Sequence, residues 1–310
     1  MELNAHVLVG AMAAVVLFLH ALEGFSAQAQ AAGGERLRQW LARATASRLR
    51  GFAIGALATA VVQSSSAVTS LAVALVNSGA LSFRGSLAIL VGANVGTTAT
   101  AWLVSFKLTG IGPWAIVIGT LLNALGGERL RWIGKPLFYF GFIFFSLDLI
   151  SSSLEPLQRS TLWQQALLQA DALPLALLAG MVMTALVQSS SVTVGIAILL
   201  VQQGLLPPAA AIAVAIGANL GTTATALLAS LQMGAAARRT AVANLVFNAI
   251  GVLAIAPWIG EFAQLALRIG QTPDLSVAWA HLIFNAATAA IALPLLSPRL
   301  LGGWIDRRWP

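Results

Sequence analysis

The chain carries one passage twice, 125 residues apart and without a gap. Residues 59–101 and 184–226 are identical at 22 of 43 positions. The identities gather in two islands, Gln-Ser-Ser-Ser at 63–66 and 188–191, and Gly-Ala-Asn-x-Gly-Thr-Thr at 92–98 and 217–223. The register extends outward, pairing Leu22 with Leu147, Glu23 with Asp148, Gly55 with Gly180, Asn123 with Asn248 and Gly126 with Gly251. A duplication of this length demands two structurally equivalent halves. Polar islands inside otherwise apolar repeats are the pattern of secondary transporters built from two halves.

Composition sets the medium. Of 310 residues, 58% are hydrophobic and 9% charged, against about a quarter charged in soluble domains. Several nearly charge-free stretches reach the roughly 20 residues that a membrane-spanning helix needs. The net charge of +7 therefore speaks of orientation in a bilayer rather than of nucleic acid. No cysteine occurs, which excludes disulfides and thiol chemistry. His6, His20 and His281 are isolated, so neither a structural metal nor a cofactor is expected. Met1-Glu2 gives no basic leader, and residues 5–25 align with internal residues 130–150, so they are expected to form a first span rather than a signal peptide.

The expected fold is an all-α polytopic membrane protein with seven crossings at about 5–25, 85–106, 112–127, 134–152, 207–230, 240–258 and 277–297. Two further apolar stretches, 51–80 and 174–204, are each interrupted by Gln-Ser-Ser-Ser. A straight helix there would put three hydroxyls into hydrocarbon. A re-entrant hairpin with arms of about 13 residues, ~20 Å each, reaches the middle of a ~30 Å core and returns. This arrangement places 14 of the 17 Lys and Arg residues on one side and Lys107, Arg159 and Arg268 on the other. The basic side is then cytoplasmic, with the N-terminus outside and the C-terminus inside. Three crossings per repeat, an odd number, turn the second copy upside-down. The expected division is residues 1–127 for repeat one, 128–258 for inverted repeat two, and 259–310 for an additional crossing and a cytoplasmic tail.

Residues 34–50 read as an interfacial amphipathic helix with Leu37, Trp40, Leu41 and Ala44 on one face. Residues 154–169 and 260–270 are expected to lie similarly on the outer surface. Trp102, Trp114, Trp132, Trp258 and Trp279 fall near span ends, where aromatic anchors belong.

Gln63, Ser64, Ser65 and Ser66, with Gln188, Ser189, Ser190 and Ser191, carry the clearest chemistry. A turn between two half-helices leaves free N–H groups at the start of the second arm. Serine caps such a start, and the helix dipole adds partial positive charge. These features make an anion cradle without a basic side chain, while serine oxygens and freed carbonyls suit a hard cation such as sodium. In the second island, Gly92, Asn94, Gly96, Thr97 and Thr98, with Gly217, Asn219, Gly221, Thr222 and Thr223, are expected to break a crossing helix in mid-span. The alternative there is a glycine packing seam. Asn123, Asn248 and Asn285 are expected to support the broken helices. There is no G-x-S-x-G and no acid-partnered histidine, so no hydrolase is expected.

The two Gln-Ser-Ser-Ser and Gly-Ala-Asn-x-Gly-Thr-Thr pairs resemble the type II sodium-dependent phosphate cotransporter family, over nearly all of residues 5–297. The resemblance implies a carrier in the cytoplasmic membrane that couples inorganic phosphate to sodium ions by alternating access. It implies substrate and sodium contacts at Gln63, Ser64, Ser65, Ser66, Gln188, Ser189, Ser190 and Ser191. It extends to Asn94, Thr97, Thr98, Asn219, Thr222 and Thr223 as sodium ligands or their support. Bacterial relatives often append a cytoplasmic regulatory domain, which residues 298–310 do not resemble. A carrier of another oxyanion, sulfate or arsenate, and a phosphate exporter are the alternatives. Stoichiometry and oligomeric state are not written in these motifs.

Overall fold

The computed structural model describes residues 5–43, 47–106, 110–158 and 172–297. Among them, regular structure is entirely helical. The first copy contributes α1 (Ala5–Arg43), α2 (Arg48–Val62), α3 (Ser65–Asn77), α4 (Phe83–Ser105) and α5 (Ile111–Leu125). The second contributes α6 (Glu128–Gln158), α7 (Leu173–Val187), α8 (Ser190–Gln202), α9 (Pro208–Gly221), α10 (Thr223–Ser230) and α11 (Ala235–Ile255). A short 3-10 turn then leads to α12 (Ile259–Gly270) and α13 (Pro273–Leu295). The ends of α2 and α3, moved by 125 residues, are the ends of α7 and α8; those of α4 are the start of α9 and the end of α10. The duplication in sequence is thus a duplication of element boundaries.

Six segments among the described residues are long and apolar enough to span a bilayer: 9–31, 83–105, 130–156, 208–230, 235–270 and 273–295. The chain is an all-α polytopic membrane protein. The seventh expected crossing, 112–127, is the 15-residue α5, ~22 Å long and shorter than the hydrocarbon core. It ends at the Gly126-Gly127 pair, whereas the equivalent Gly251 is followed by Val252 and α11 continues. α2, α3, α7 and α8 have 13–15 residues each.

One expectation about α1 needs correction. The interfacial helix expected over 34–50 is not separate, because α1 runs unbroken to Arg43 and α2 starts at Arg48. The alanine-rich stretch 27–32 carries the helix up to the Gly33-Gly34 pair, which is too little to end it. Leu41 is fully buried, packed with Ala58, Val62 and Val68, while Trp40 is exposed. Leu37 and Ala44 lie outside the side chains described. α12 covers 259–270, with Ile259, Ala263, Ala266 and Gly270 buried along one face against the bundle and Leu265 and Ile269 exposed. The segment expected over 154–169 is described only to Gln158, where it continues α6.

Helix association in lipid rests on close packing rather than on a hydrophobic drive, and the glycines of the second island supply it. A methyl at Gly92 would strike the Phe52 carbonyl, one at Gly96 the Ala56 carbonyl, and one at Gly55 the Ile89 carbonyl. In the second copy the same collisions fall at Gly217 with Leu177, Gly221 with Met181 and Gly180 with Val214. Each partner is again 125 residues on. These seams zip α2 to α4 and α7 to α9.

They also correct the expected helix break. α4 is continuous from Phe83 to Ser105, through Gly92, Asn94 and Gly96. In the second copy the only interruption is Thr222 between α9 and α10, still in right-handed helical conformation. The glycines are held by the facing helix, so the local weakness they bring does not unwind the chain.

Side-chain bonds fix the relative directions of the helices. Ser86 lies by Thr240 at 3.5 Å, and Asn94 Nδ2 donates to Asn248 Oδ1 at 3.0 Å, so α4 and α11 run parallel. Ser105 Oγ donates to the Asp274 carbonyl at 3.3 Å and Ala88 packs with Leu296, so α13 runs antiparallel to both. At one end, Arg48 bonds the Leu293 and Pro294 carbonyls and Gly234 N–H donates to Asn77 Oδ1. The start of α2 and the end of α3 therefore share that end. At the opposite end, Gln202 at the close of α8 donates to Asp274 Oδ2 at 3.0 Å. Trp102 and Trp279 stack edge to face at 5.0 Å, joining α4 to α13, while Trp114, Trp132 and Trp258 stand exposed.

Candidate functional site

Both Gln-Ser-Ser-Ser motifs fold into the same tight turn. Gln63 caps α2 with φ 55°, and Gln188 caps α7 with φ 57°. Left-handed backbone is costly for a residue with a Cβ, roughly 1–2 kcal/mol, and its recurrence at both glutamines marks a position held by its surroundings. Ser64 and Ser189 follow in extended conformation at the N-cap positions of α3 and α8. Ser64 Oγ accepts the Ala67 N–H at 3.2 Å. Ser65 and Ser190 open the second helices and are buried. The first-turn N–H groups of α3 and α8 have no carbonyl of their own helix to bind, so each turn presents donors at a positive helix end.

The two turns meet across 125 residues of chain. Ser66 Oγ donates to the Gln188 carbonyl at 2.9 Å. Thr100, on α4, donates to Gln63 Oε1 at 2.8 Å and lies 3.1 Å from Ser191 Oγ. Thr100 thereby ties the first glutamine to the second serine triplet. The partners of both motifs are uncharged hydroxyls, amides and backbone groups. A cavity of about 140 Å³ reaches Gln63 and Thr100 between α1, α2, α4 and α6, with Phe18, Leu22 and Phe144 among its apolar walls.

The arrangement is not symmetric. Gln63 is buried and its equivalent Gln188 is exposed. Thr100 has two partners, whereas the hydroxyl of its equivalent Thr225 is buried with none. Thr59 likewise has no partner for its hydroxyl, while the equivalent Thr184 donates to Thr193 at 2.8 Å.

The polar groups of the second island are bonded mostly to nearby backbone carbonyls. Thr97 and Thr98 bond the carbonyls of Ala93 and Val95 in their own helix, Thr223 bonds that of Leu220 across the junction of α9 and α10, and Asn219 bonds that of Ala215. Thr222 is buried at the junction of α9 and α10. Asn94 opens a ladder through Asn248 to Asn244, which joins α4 to α11. Asn123, the equivalent of Asn248, sits half-buried on α5, whose buried glycines Gly112 and Gly119 face α6. Asn285 bonds the His281 carbonyl. Sequence reasoning passed over Thr100 and Thr225. Their signal was present, since both are identical at the 125-residue offset, two residues beyond the Thr-Thr pair.

The family model described as Na+/Pi-cotransporter matches residues 17–152 and 155–270. The chain belongs to the Na+/Pi-cotransporter family. It is 34% identical over 249 residues to the "Uncharacterized protein YqeW" of Bacillus subtilis, covering 80% of this chain and 81% of that protein. It is 31% identical over 269 residues to the "Putative inorganic phosphate export protein YjbB" of Escherichia coli K12, covering 86% of this chain but 49% of the relative. The chain thus spans about half of YjbB. A 95-residue stretch, 30% of the chain, is 36% identical to human "Sodium-dependent phosphate transport protein 2B", of which it covers 14%. No solved structure matches the chain. As a member of this cotransporter family the protein is a membrane transporter by descent.

Proposed function

We propose that the protein is a sodium-coupled carrier of inorganic phosphate, with substrate and sodium held between the two Gln-Ser-Ser-Ser turns. One observation carries this reading: two duplicated turns, each with a free helix start, converge on Thr100 inside an apolar bundle. The donors are Ser65, Ser66, Ser190 and Ser191 with the N–H groups of α3 and α8. Acceptors for sodium are Gln63 and Gln188 and the serine oxygens. Among the described residues, the bonds that join the two turns run through hydroxyls, an amide and a backbone carbonyl rather than a basic side chain, and an uncompensated phosphate dianion in such a place is prohibitive. Sodium must therefore enter with it, which gives coupling a physical cause.

The shared end of α2 and α3, and the opposite placement of the end of α8, support two re-entrant units facing opposite sides. Burial of Gln63 against exposure of Gln188 is what one state of an alternating carrier should look like. In the other state Thr225 would take Gln188 and Ser66 as Thr100 now takes Gln63 and Ser191. The arginine-rich end is assigned to the cytoplasm, in the cell's inner membrane.

Radiolabelled phosphate uptake into proteoliposomes, with and without an inward sodium gradient, tests the reading. Uptake should follow the gradient and vanish in Ser65→Ala and Ser190→Ala proteins that remain monodisperse. Sodium-independent uptake, or full uptake by both variants, rejects it. The name of YjbB favours net export as a second reading; loading phosphate inside the vesicles and following efflux separates the two. Competition by sulfate and arsenate tests for a carrier of another oxyanion.

A further inference from the structure

A second cavity, of about 490 Å³, lies away from the turns between α4, α11, α12 and α13. Val91, Phe247, Ile250, Phe262, Phe284 and Ile291 form its walls. Its two polar lining residues are already engaged: Thr288 donates to the Asn285 carbonyl and Asn244 Oδ1 accepts from Asn248. The cavity wall is therefore almost wholly apolar. It runs from Phe284 to Leu296 along α13, ~18 Å at the helical rise. Three of its walls come from spans 83–105, 235–270 and 273–295, so the medium beside it is lipid.

Its end beside the starts of α4 and α11 is basic. Leu87, Ala243, Leu295 and Leu296 line that end. Arg84 lies one turn before Leu87 on α4, and Arg239 one turn before Ala243 on α11, while the neighbouring Arg238 donates to the Leu231 carbonyl. Arg48 reaches the same place by its bonds to the Leu293 and Pro294 carbonyls. An apolar slot capped by arginines has the chemistry of one ligand class. We infer that this cavity binds an anionic phospholipid, with an acyl chain between α11 and α13 and the phosphate at the arginine rim. A helix-dipole or hydroxyl site would not be needed, since basic side chains near a membrane surface attract anionic headgroups. Asn244 connects the cavity wall to Asn248 and Asn94, so the occupant borders the polar ladder that joins α11 to α4. The inference stands on the cavity and its rim, independently of the transported substrate.

The test is photolabelling of the purified full chain in phosphatidylcholine nanodiscs, with trace phosphatidylglycerol carrying a diazirine in mid-chain. Labels are expected on peptides covering 243–262 and 284–296, displaced at least tenfold better by unlabelled phosphatidylglycerol than by phosphatidylcholine. Filling the slot with Ala254→Phe and Ala287→Phe, both at exposed positions, should cut labelling at least fivefold. Arg239→Gln, in an otherwise unaltered cavity, should reduce the headgroup preference at least threefold. Labelling spread evenly over the outer faces of α5 and α7, indifference to the filling variants, or equal competition by both lipids would overturn the inference. Should the filled variant not fold, the peptide map and the Arg239→Gln competition decide alone.

Discussion

At the scale of single residues, Thr100 and Thr225 carry the most information, because equal sequence positions have unequal surroundings. Thr100 bridges Gln63 and Ser191; Thr225 is buried without a partner. A net hydrogen bond is worth about 1 kcal/mol, and an unmet buried group costs about 1–3 kcal/mol. Thr100→Val should therefore lower the melting temperature in detergent, while Thr225→Val should leave it unchanged or raise it. Phosphate uptake should fall in both, by roughly tenfold if one bond in each state is lost, and Thr100→Ser should restore it. Wild-type uptake by Thr225→Val would show that the second threonine has no turn of its own in the cycle. Neither threonine stood out in the sequence. One more threonine beside Thr97-Thr98 is informative only once its partner, 37 or 91 residues away, is seen.

Among elements, the seams decide the architecture. The glycines of α4 and α9 bring neighbouring backbones so close that a single methyl meets a carbonyl oxygen. Gly92→Ala and Gly217→Ala should each destabilise by about 1–3 kcal/mol, the range for overpacking, read as a lower melting temperature with phosphate-independent onset. Gly127→Ala serves as control, since a methyl there meets nothing. A Gly217→Ala protein as stable as the parent would mean that α7 and α9 separate without loss. These seams explain why one motif was legible and the other misleading. The Gln-Ser-Ser-Ser turn was readable because a glutamine and three serines in the middle of an apolar stretch, in both copies, fit a turn between half-helices better than a straight span, and the chain does turn there. Ser151-Ser152-Ser153, near the end of α6, stay helical. A glycine that loosens a helix and a glycine that admits a neighbour are the same letter. Only the facing carbonyls of Phe52 and Leu177 tell them apart. The merging of the 34–43 segment into α1 was hidden for a related reason: amphipathicity names a buried face but not what buries it.

For the whole molecule the question is whether the two turns enter from opposite sides. The end of α3 meets the start of α11 through Asn77 and Gly234, beside the arginine-bearing starts of α2 and α4. The end of α8 meets the start of α13 through Gln202 and Asp274, beside the end of α4. α4 is 23 residues long, ~35 Å at the helical rise, which exceeds the hydrocarbon thickness. The two contacts therefore lie at opposite ends of a span-length helix, and the inverted arrangement proposed above predicts opposite membrane surfaces for them. A chain without cysteine makes this directly measurable, because any single cysteine is the sole thiol. Ser78→Cys and Ala236→Cys, both exposed, should react with an impermeant maleimide only after right-side-out vesicles are opened. Gly204→Cys and Gln271→Cys, also exposed, should react in sealed vesicles. Labelling of positions 78 and 204 from the same side would end the inverted arrangement, and with it the idea that the two turns exchange roles across the membrane. Labelling of all four in the reverse sense would keep the inversion and turn the arginine-rich face outward, against the rule that basic loops stay in the cytoplasm.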